Sequence, residues 1–236
     1  MVDSFDRVRG VRELPLFPLP LVLFPGAPQS LHIFEPRYRQ MFSDVQASNR
    51  LFGLSYFDPT SPLASEGRPH TGHVGCVAEV VESQMLPDGR SNIVAVGLVR
   101  YRVEAYIERG DPYLVGRVAF FADDPEDPQT LDDGARAVRD LFERIAQAVR
   151  TINDERAGLR ELTEADPEQL SFLVASTLEI ESETKQELLE LRSTSERLMR
   201  LKRMLAQVVE SYEERARMHA LAKGNGHGGK HINFDS

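Results

Sequence analysis

Three residues with zinc-binding side chains follow one another at short spacing: His70, His73 and Cys76. Imidazole nitrogens and thiolates are ligands that zinc prefers, but a closed structural site needs four of them. A strand predicted over residues 74–81 would also turn successive side chains to opposite faces. We therefore interpret the segment as a polar loop that runs into a strand with a small buried thiol, and we predict no metal site.

Two short motifs match the spacing of catalytic sites. Residues 224–230 spell most of a nucleotide-binding P-loop, but His231 stands where the hydroxyl residue belongs, and a predicted helix precedes the glycines. Ser182 and Lys185 have the spacing of a serine–lysine dyad. A serine that caps a helix explains this pair better. The sequence therefore predicts no catalytic residue, no cofactor and no enzymatic activity.

Glu35, Arg37 and Arg39 surround Pro36, a proline at the predicted start of a helix. Charged groups at the rim of a small sheet could anchor the main chain of a bound peptide. The alternative is structural: the carboxylate stabilises the helix N-terminus, and an arginine bridges sheet and helix. Both interpretations stay open, and the three charged residues are included among the candidate peptide-binding residues.

The charged cluster ends an apolar segment, residues 14–34, that prolines interrupt repeatedly. Proline lacks an N–H group and has a fixed φ, so it is excluded from helix interiors and central strands. Yet the segment is too apolar for a solvated loop. We predict extended chain at the edge or rim of a sheet, a turn at Pro25 and Gly26, a strand over residues 29–34, and a helix that begins at Pro36.

Several apolar side chains of this segment are candidates for a peptide-binding groove, because chain that prolines interrupt cannot pair fully in a sheet. A groove of such side chains could accept an extended or partly unfolded peptide. The alternative is that they fill the interior of the fold. The candidates are Phe17, Leu19, Leu21, Leu23 and Phe24.

Short apolar segments with the alternation of β-strands continue to residue 121. The predicted strands cover residues 51–57, 74–81, 92–97, 99–107 and 113–121. Five or six short strands with one early helix suggest a small closed barrel, which removes exposed strand edges. Arg100 and Arg102 alternate out of one of these strands, and we assign them to a solvated face.

The pattern changes to helical periodicity in the second half of the chain. We predict a barrel over residues 11–122, an acidic linker over 123–133, a helical bundle over 134–222 and a flexible tail over 223–236. The last helix carries a heptad-like seam that would either pack inside the bundle or join two copies into a dimeric interaction scaffold. The seam comprises Leu198, Leu201, Leu205, Val208 and Tyr212.

Three motifs follow one another in the first half of the chain. Residues 14–19 read LPLFPL, residues 23–26 read LFPG, and residues 34–38 read FEPRY. In this order they resemble the start of the Lon protease N-terminal domain family. The segments DGR at residues 88–90 and VGLVRYRV at residues 96–103 continue the resemblance, which extends through the helical part to about residue 212.

This resemblance implies an α+β fold in which a PUA-like β-barrel is followed by a helical bundle. It also implies a module that binds unfolded or extended polypeptide and recognises or adapts protein substrates for a partner ATPase or protease. Full-length members of the family are ATP-driven proteases, and this sequence lacks their P-loop and their serine–lysine peptidase domain. We therefore expect a stand-alone, non-enzymatic member.

The composition narrows the range of partners. With 236 residues and a formal net charge of −9, the chain lacks the basic excess that nucleic-acid binding requires. No segment approaches the roughly 18 apolar residues of a membrane span. The single cysteine, Cys76, fits a reducing compartment. We expect a cytoplasmic protein with neither nucleic acid nor membrane as its partner.

Overall fold

The computed structural model describes residues 4–58, 60, 67–153 and 165–225. The chain forms two compact units, each built from two stretches of sequence. The first comprises Met1–Pro125 and Ser171–Thr194, and the second comprises Glu126–Leu170 and Ser195–Ser236. This division differs from the consecutive domains predicted from the sequence. The segment Ser171–Thr194 belongs with the barrel because it bonds to it: Gln186 Nε2 donates to the carbonyl oxygen of Val74 at 2.9 Å.

The described residues hold one mixed sheet and six helices. The strands are β1 (Glu13–Leu19), β2 (Pro28–Ile33), β3 (Leu51–Tyr56), β4 (Val74–Met85), β5 (Ser91–Tyr106) and β6 (Leu114–Phe121). The helices are α1 (Ser4–Arg7), α2 (Pro36–Ala47), α3 (Pro128–Asn153), α4 (Pro167–Thr177), α5 (Ser182–Glu190) and α6 (Thr194–Asn225). This architecture confirms the predicted α+β fold.

The strands run in the order β2-β5-β4-β3-β1-β6, and β6 pairs again with β5. Five strands therefore close into a barrel, while β2 lies outside the ring and pairs with β5. Closure of the barrel was expected to remove exposed strand edges. That expectation fails for β2, because β5 is long enough to pair with β6 over its second half and with β2 over its first.

Strand β5 is continuous, whereas the sequence analysis predicted two strands with a break after Gly97. A Cβ at Gly97 would lie 2.1 Å from the carbonyl oxygen of Phe24, so only glycine lets the proline-rich segment cross β5 here. The Gly97 N–H donates to the carbonyl oxygen of Ala27 at 3.0 Å, and its own carbonyl accepts a bond from Gly26 at 2.9 Å. Gly97, the residue at the predicted break, is therefore the point where the proline-rich segment crosses β5.

Strand β1 contains Pro15 and Pro18 and nevertheless lies between β3 and β6. The prediction that these prolines mark an edge was wrong. The two neighbouring strands are staggered, since β6 pairs with residues 13–16 and β3 pairs with residues 16–19. The two pairings overlap only at Leu16, so Pro15 pairs with β6 alone and Pro18 pairs with β3 alone. The missing N–H groups of the two prolines therefore cost the sheet few hydrogen bonds.

The barrel interior is filled by aliphatic side chains around Tyr101, which is fully buried. Tyr101 Oη forms a 2.7 Å hydrogen bond with Ser55 Oγ, so its polar atom is satisfied inside the core. Gly53 and Gly75 make room for the phenol, because a Cβ at Gly53 would lie 2.6 Å from Tyr101 Oη and one at Gly75 would lie 2.5 Å from it. The surrounding side chains include Leu14, Leu16, Leu51, Val77, Val99, Val103 and Val118.

Arg100 is 2% exposed, which contradicts its assignment to a solvated face. Its guanidinium pairs with Asp123 and donates to the main-chain carbonyls of Leu189, at 3.0 Å, and Leu191. Asp123 also accepts a hydrogen bond from Thr194 Oγ1. Strand alternation predicted the wrong environment because the end of α5 covers β5 at this position.

Helix α3 begins at Pro128, so residues 128–133, which were predicted as linker, are helical. Asp127 caps the helix: its Oδ2 accepts hydrogen bonds from Thr130 N–H at 2.9 Å and from Thr130 Oγ1 at 2.8 Å. Pro128 takes the first helical position, where a missing N–H has little cost. Carboxylates of the predicted linker are thus used for capping and pairing.

In the second unit, α6 buries an apolar stripe. The residues of this stripe differ in part from those of the predicted seam. Val208 is 39% exposed, and Val209 is buried in its place. A straight helix has 3.6 residues per turn and therefore drifts away from a strict heptad pattern. Arg144 of α3 pairs with Glu213 of α6 at 2.8 and 3.1 Å. The buried residues of α6 include Leu198, Leu201, Leu205, Val209 and Ala216.

Helix α6 extends to Asn225, so residues 223–225 of the predicted tail are helical. The remainder of that tail, residues 226–236, lies outside the described residues. Within the described parts of the chain, none of the helices combines the length and the apolar character needed to cross a bilayer.

Candidate functional site

Three of the predicted peptide-binding residues lie in the core. Phe17, Leu23 and Phe24 are 4%, 2% and 0% exposed. The ring of Phe17 lies 4.2 Å from that of Tyr38 on α2, centroid to centroid, and Phe24 lies 6.2 Å from Phe172 on α4. The alternative interpretation, in which such side chains fill the fold, therefore describes these three, and a client could not reach them without displacing the core.

Leu19 and Leu21 are half-buried. Leu21 lines a cavity of about 340 Å³ between the proline-rich segment and the start of α5, and Lys185 lies on its far side. Burial lowers the pKa of Lys185. Its Nζ donates to the carbonyl oxygen of Ser176 at 3.3 Å, near the C-terminus of α4, where a cation complements the helix dipole. This contact gives the lysine of the serine–lysine motif a structural role.

Glu35, Arg37 and Arg39 lie where β2 ends and α2 begins. Arg37 Nε donates to Glu35 Oε2 at 2.9 Å, and both side chains reach solvent. The Arg37 guanidinium also lies 4.5 Å from the ring centroid of Tyr38. Arg39 is exposed and faces the β4–β5 turn, where a Cβ at Gly89 would lie 2.2 Å from its Nη2. The structure therefore brings the three charged residues together and leaves them accessible.

Phe34 is a candidate that the sequence analysis missed. It is 57% exposed, and its ring stacks on His32 with the centroids 6.0 Å apart. His32 Nδ1 and Asn92 Oδ1 are 2.7 Å apart, which holds the imidazole against β5. The alternation of side chains along a strand could have revealed Phe34. Because Ile33 faces the core, the next side chain must point outward.

We call Phe34, Glu35, Arg37 and Arg39 the β2-end surface. Beside it, a shallow groove of about 400 Å³ runs over the outer faces of β2, β5 and β4. The combination of an exposed aromatic ring, a charged pair and a polar groove suits the binding of a peptide. The groove is lined by Ser30, His32, Glu82, Gln84, Asn92 and Val94 among others.

The other motifs bring no reactive cluster together in the described residues. Cys76 is fully buried, and burial raises the pKa of its thiol to about 12. Where the structure describes the chain, no three potential metal ligands lie close enough to share an ion. The P-loop-like motif at residues 224–230 falls mostly outside the described residues.

His73 is a buried histidine that should make stability depend on pH. It is 7% exposed, and burial, together with the nearby His70, lowers its pKa from 6.5 to about 4. As the pH falls through 6.5, the unfolded chain takes up this proton before the folded chain does. The free energy of unfolding should therefore decrease by up to about 3 kcal/mol between pH 6.5 and pH 4. Urea denaturation at a series of pH values measures this loss.

The variant His73→Leu should lose most of the slope of stability against pH in this range. His32→Gln, which removes an exposed histidine, is the matched control and should retain the slope. A slope that stays unchanged in His73→Leu would assign the effect to other groups.

Comparison with known proteins identifies the family. Residues 13–207 match the model of the ATP-dependent protease La (LON) substrate-binding domain. The match covers most of the chain, which therefore belongs to the Lon substrate-binding domain family.

Curated relatives agree with this assignment. Lon protease 2 of Herpetosiphon aurantiacus is 26% identical over 214 residues, which cover 90% of this chain and 26% of the relative. The Lon protease of Roseiflexus castenholzii is 29% identical over 186 residues, which cover 78% of this chain and 23% of the relative. The chain thus spans about a quarter of the length of these relatives.

Solved structures share the fold. The Lon N-terminal domain protein from Xanthomonas campestris aligns with a TM-score of 0.58 at 23% identity, covering 81% of this chain and 97% of that one. The N-terminal domain of the Mycobacterium avium complex Lon protease aligns with a TM-score of 0.60 at 15% identity, covering 83% and 98%. At these identities the likeness shows the fold alone.

Proposed function

We propose that this chain binds unfolded or extended segments of other proteins, here called clients, without changing them chemically. Membership of a substrate-binding domain family supports a binding role. The β2-end surface supplies groups suited to it, since apolar contact gives affinity and charged groups fix the orientation of a peptide.

The observation that carries the proposal is the exposure of Phe34. Aromatic side chains are enriched in protein interfaces, where polar and charged groups surround them, and Phe34 has such a border in the Glu35–Arg37 pair. An apolar side chain of a client would pack on this ring, and the adjacent Glu35 and Arg37 would bind polar groups of the client main chain. No cofactor enters this mechanism, because burial and hydrogen bonding are sufficient.

We further propose that client binding serves proteolysis or quality control in the cytoplasm. The chain would recognise clients and present them to a partner ATPase or protease. Support comes from the relatives, which are named as Lon proteases and of which this chain matches about a quarter.

Replacing Phe34 by serine should weaken client binding about tenfold, because aromatic anchors contribute disproportionately to binding energy. The probe is reduced, carboxymethylated α-lactalbumin carrying a fluorescent label, a protein that stays unfolded, and fluorescence anisotropy measures its dissociation constant. Met199→Ser is the matched control, because Met199 is 51% exposed on α6 in the second unit. This control should bind like the unaltered protein.

The proposal fails if the unaltered protein binds no unfolded protein at all. Equal binding by the Phe34→Ser and Met199→Ser variants would leave a binding function in place but exclude the β2-end surface as its site.

The second candidate function is a dimeric scaffold that associates through α6. Met218 and Leu221 favour it, since they are 59% and 62% exposed. Much of the seam that would join two copies is, however, buried within the second unit: Leu198, Leu201 and Leu205 are at most 1% exposed. Sedimentation equilibrium decides between the two, because a monomer at working concentrations removes the scaffold.

A further inference from the structure

The outer edge of β2 is an open strand edge in the described part of the chain. The barrel closes through the pairing of β6 with β5, and β2 pairs with β5 alone. Ser30 and His32 on β2 are exposed. A strand edge of this kind offers its main-chain N–H and C=O groups to another extended chain.

The hydrogen-bond pattern identifies which groups point outward. The register pairs Pro28 with Val96, which places Ala27 opposite Gly97 one position earlier, and the Gly97 N–H donates to the Ala27 carbonyl. In an antiparallel pair, bonded and non-bonded positions alternate along the strand. Counting from Ala27, residues 29, 31 and 33 bond to β5. The main-chain groups of Pro28, Ser30 and His32 therefore face away from the sheet.

The sequence of β2 does little to block this edge. Natural sheets protect their edges with charged side chains, bulges or prolines, but residues 28–33 read PQSLHI and carry proline only at the first position. One local contact lies along the edge, a 3.0 Å hydrogen bond from Gln29 Nε2 to the carbonyl oxygen of Ser30. An incoming chain would have to displace this half-buried side chain from that acceptor.

The length of the edge suits a short peptide segment. Six residues of strand span about 20 Å, and the exposed ring of Phe34 follows directly at the end. The open edge and the β2-end surface are therefore continuous. A client strand on β2 would place its last side chains beside Phe34 and the Glu35–Arg37 pair.

We propose that clients bind by adding a strand to β2, so that this protein recognises their main chain rather than a particular sequence. This inference rests on the proposed function and names the chemistry of its site. The preferred client is an extended segment with free amide N–H groups. Segments rich in proline lack these donors and should bind poorly.

The decisive variant is Ser30→Pro, compared with Ser30→Ala. Proline removes an outward N–H and places its ring against the incoming strand, while the bonds from β2 to β5 at residues 29 and 31 remain. Alanine removes only the hydroxyl group. With a short labelled peptide of the carboxymethylated α-lactalbumin as the probe, Ser30→Pro should bind about tenfold more weakly, and Ser30→Ala should bind normally.

A second measurement uses the unaltered protein. The same peptide is prepared with esters in place of its central amides, which preserves the side chains and removes the N–H donors. Strand addition predicts that this analogue binds at least about tenfold more weakly. If Ser30→Pro fails to fold by circular dichroism, the ester analogue alone decides the question.

The outcomes separate the two proposals. Full binding of the ester analogue, or full binding by a folded Ser30→Pro variant, overturns strand addition and leaves polypeptide binding in place. If the unaltered protein binds neither the peptide nor the whole unfolded protein, the proposed function falls, and strand addition falls with it.

Discussion

Replacing Arg100 by alanine should lower the free energy of unfolding by about 3–5 kcal/mol, because it breaks a buried ion pair from one side. Asp123, whose side chain is 5% exposed, would lose its cationic partner. The carbonyls of Leu189 and Leu191 would lose a donor, and the rings of Phe121 and Phe172, 4.6 and 5.1 Å from the guanidinium carbon, would border a cavity. Urea denaturation monitored by circular dichroism measures the loss.

The matched control is Arg90→Ala, which removes an arginine whose pairing with Asp88 is solvent-exposed. Its unfolding curve should stay nearly unchanged, because exposed pairs contribute little. The double variant Arg100→Met with Asp123→Leu removes both buried charges. It should be more stable than the single Arg100→Ala variant. A single Arg100→Ala variant as stable as the control would show that the ion pair is not important to the fold.

Replacing Phe17 by aspartate should prevent folding at neutral pH. Loss of a buried phenylalanine alone costs about 3–5 kcal/mol, and a carboxylate left unpaired in its place costs several more. The sum is comparable with the whole stability of a typical domain, about 5–15 kcal/mol. Phe17 is 4% exposed between Tyr38 and Phe52. The far-ultraviolet circular dichroism spectrum and the solubility of the variant test the prediction.

Leu21→Asp is the companion variant in the same proline-rich segment. Leu21 is half-buried and borders a solvent-accessible cavity, so an aspartate there can remain hydrated and the variant should fold. If Phe17→Asp folds and loses client binding, Phe17 belongs to the binding site despite its burial. If it unfolds while Leu21→Asp does not, the core assignment stands.

Local signals in the sequence were sufficient for the early helix and for the general architecture. Pro36 begins α2 as predicted, and Tyr38, Met41, Phe42 and Val45, which recur at helical spacing, all lie on its buried face. Similarly, Asp166 and Pro167 stand at the start of α4, where Asp166 Oδ1 accepts the N–H of Gln169 at 2.9 Å. Capping and periodicity act within a few residues, so a sequence shows them directly.

Features that depend on distant parts of the chain were not predictable in this way. Arg100 looked solvated because strand alternation says nothing about a helix end that returns some 90 residues later to cover it. The open edge could likewise not be placed on β2, because nothing within residues 28–33 shows that β5 is shared between two strands. Of the candidate site, Glu35, Arg37 and Arg39 could be predicted from their position beside Pro36, but local pattern did not separate buried from exposed apolar residues.

The return of Ser171–Thr194 to the first unit has a consequence for synthesis on the ribosome. Arg100 and Asp123 emerge long before Leu189 and Leu191, whose carbonyls accept hydrogen bonds from the Arg100 guanidinium. A nascent chain that has reached residue 125 therefore holds all the strands of the barrel and both partners of the Arg100–Asp123 ion pair, but not the carbonyl groups at the end of α5 to which Arg100 donates. Native packing around Arg100 must wait until about seventy further residues have been translated. The barrel therefore cannot finish folding in the order in which its strands are synthesised.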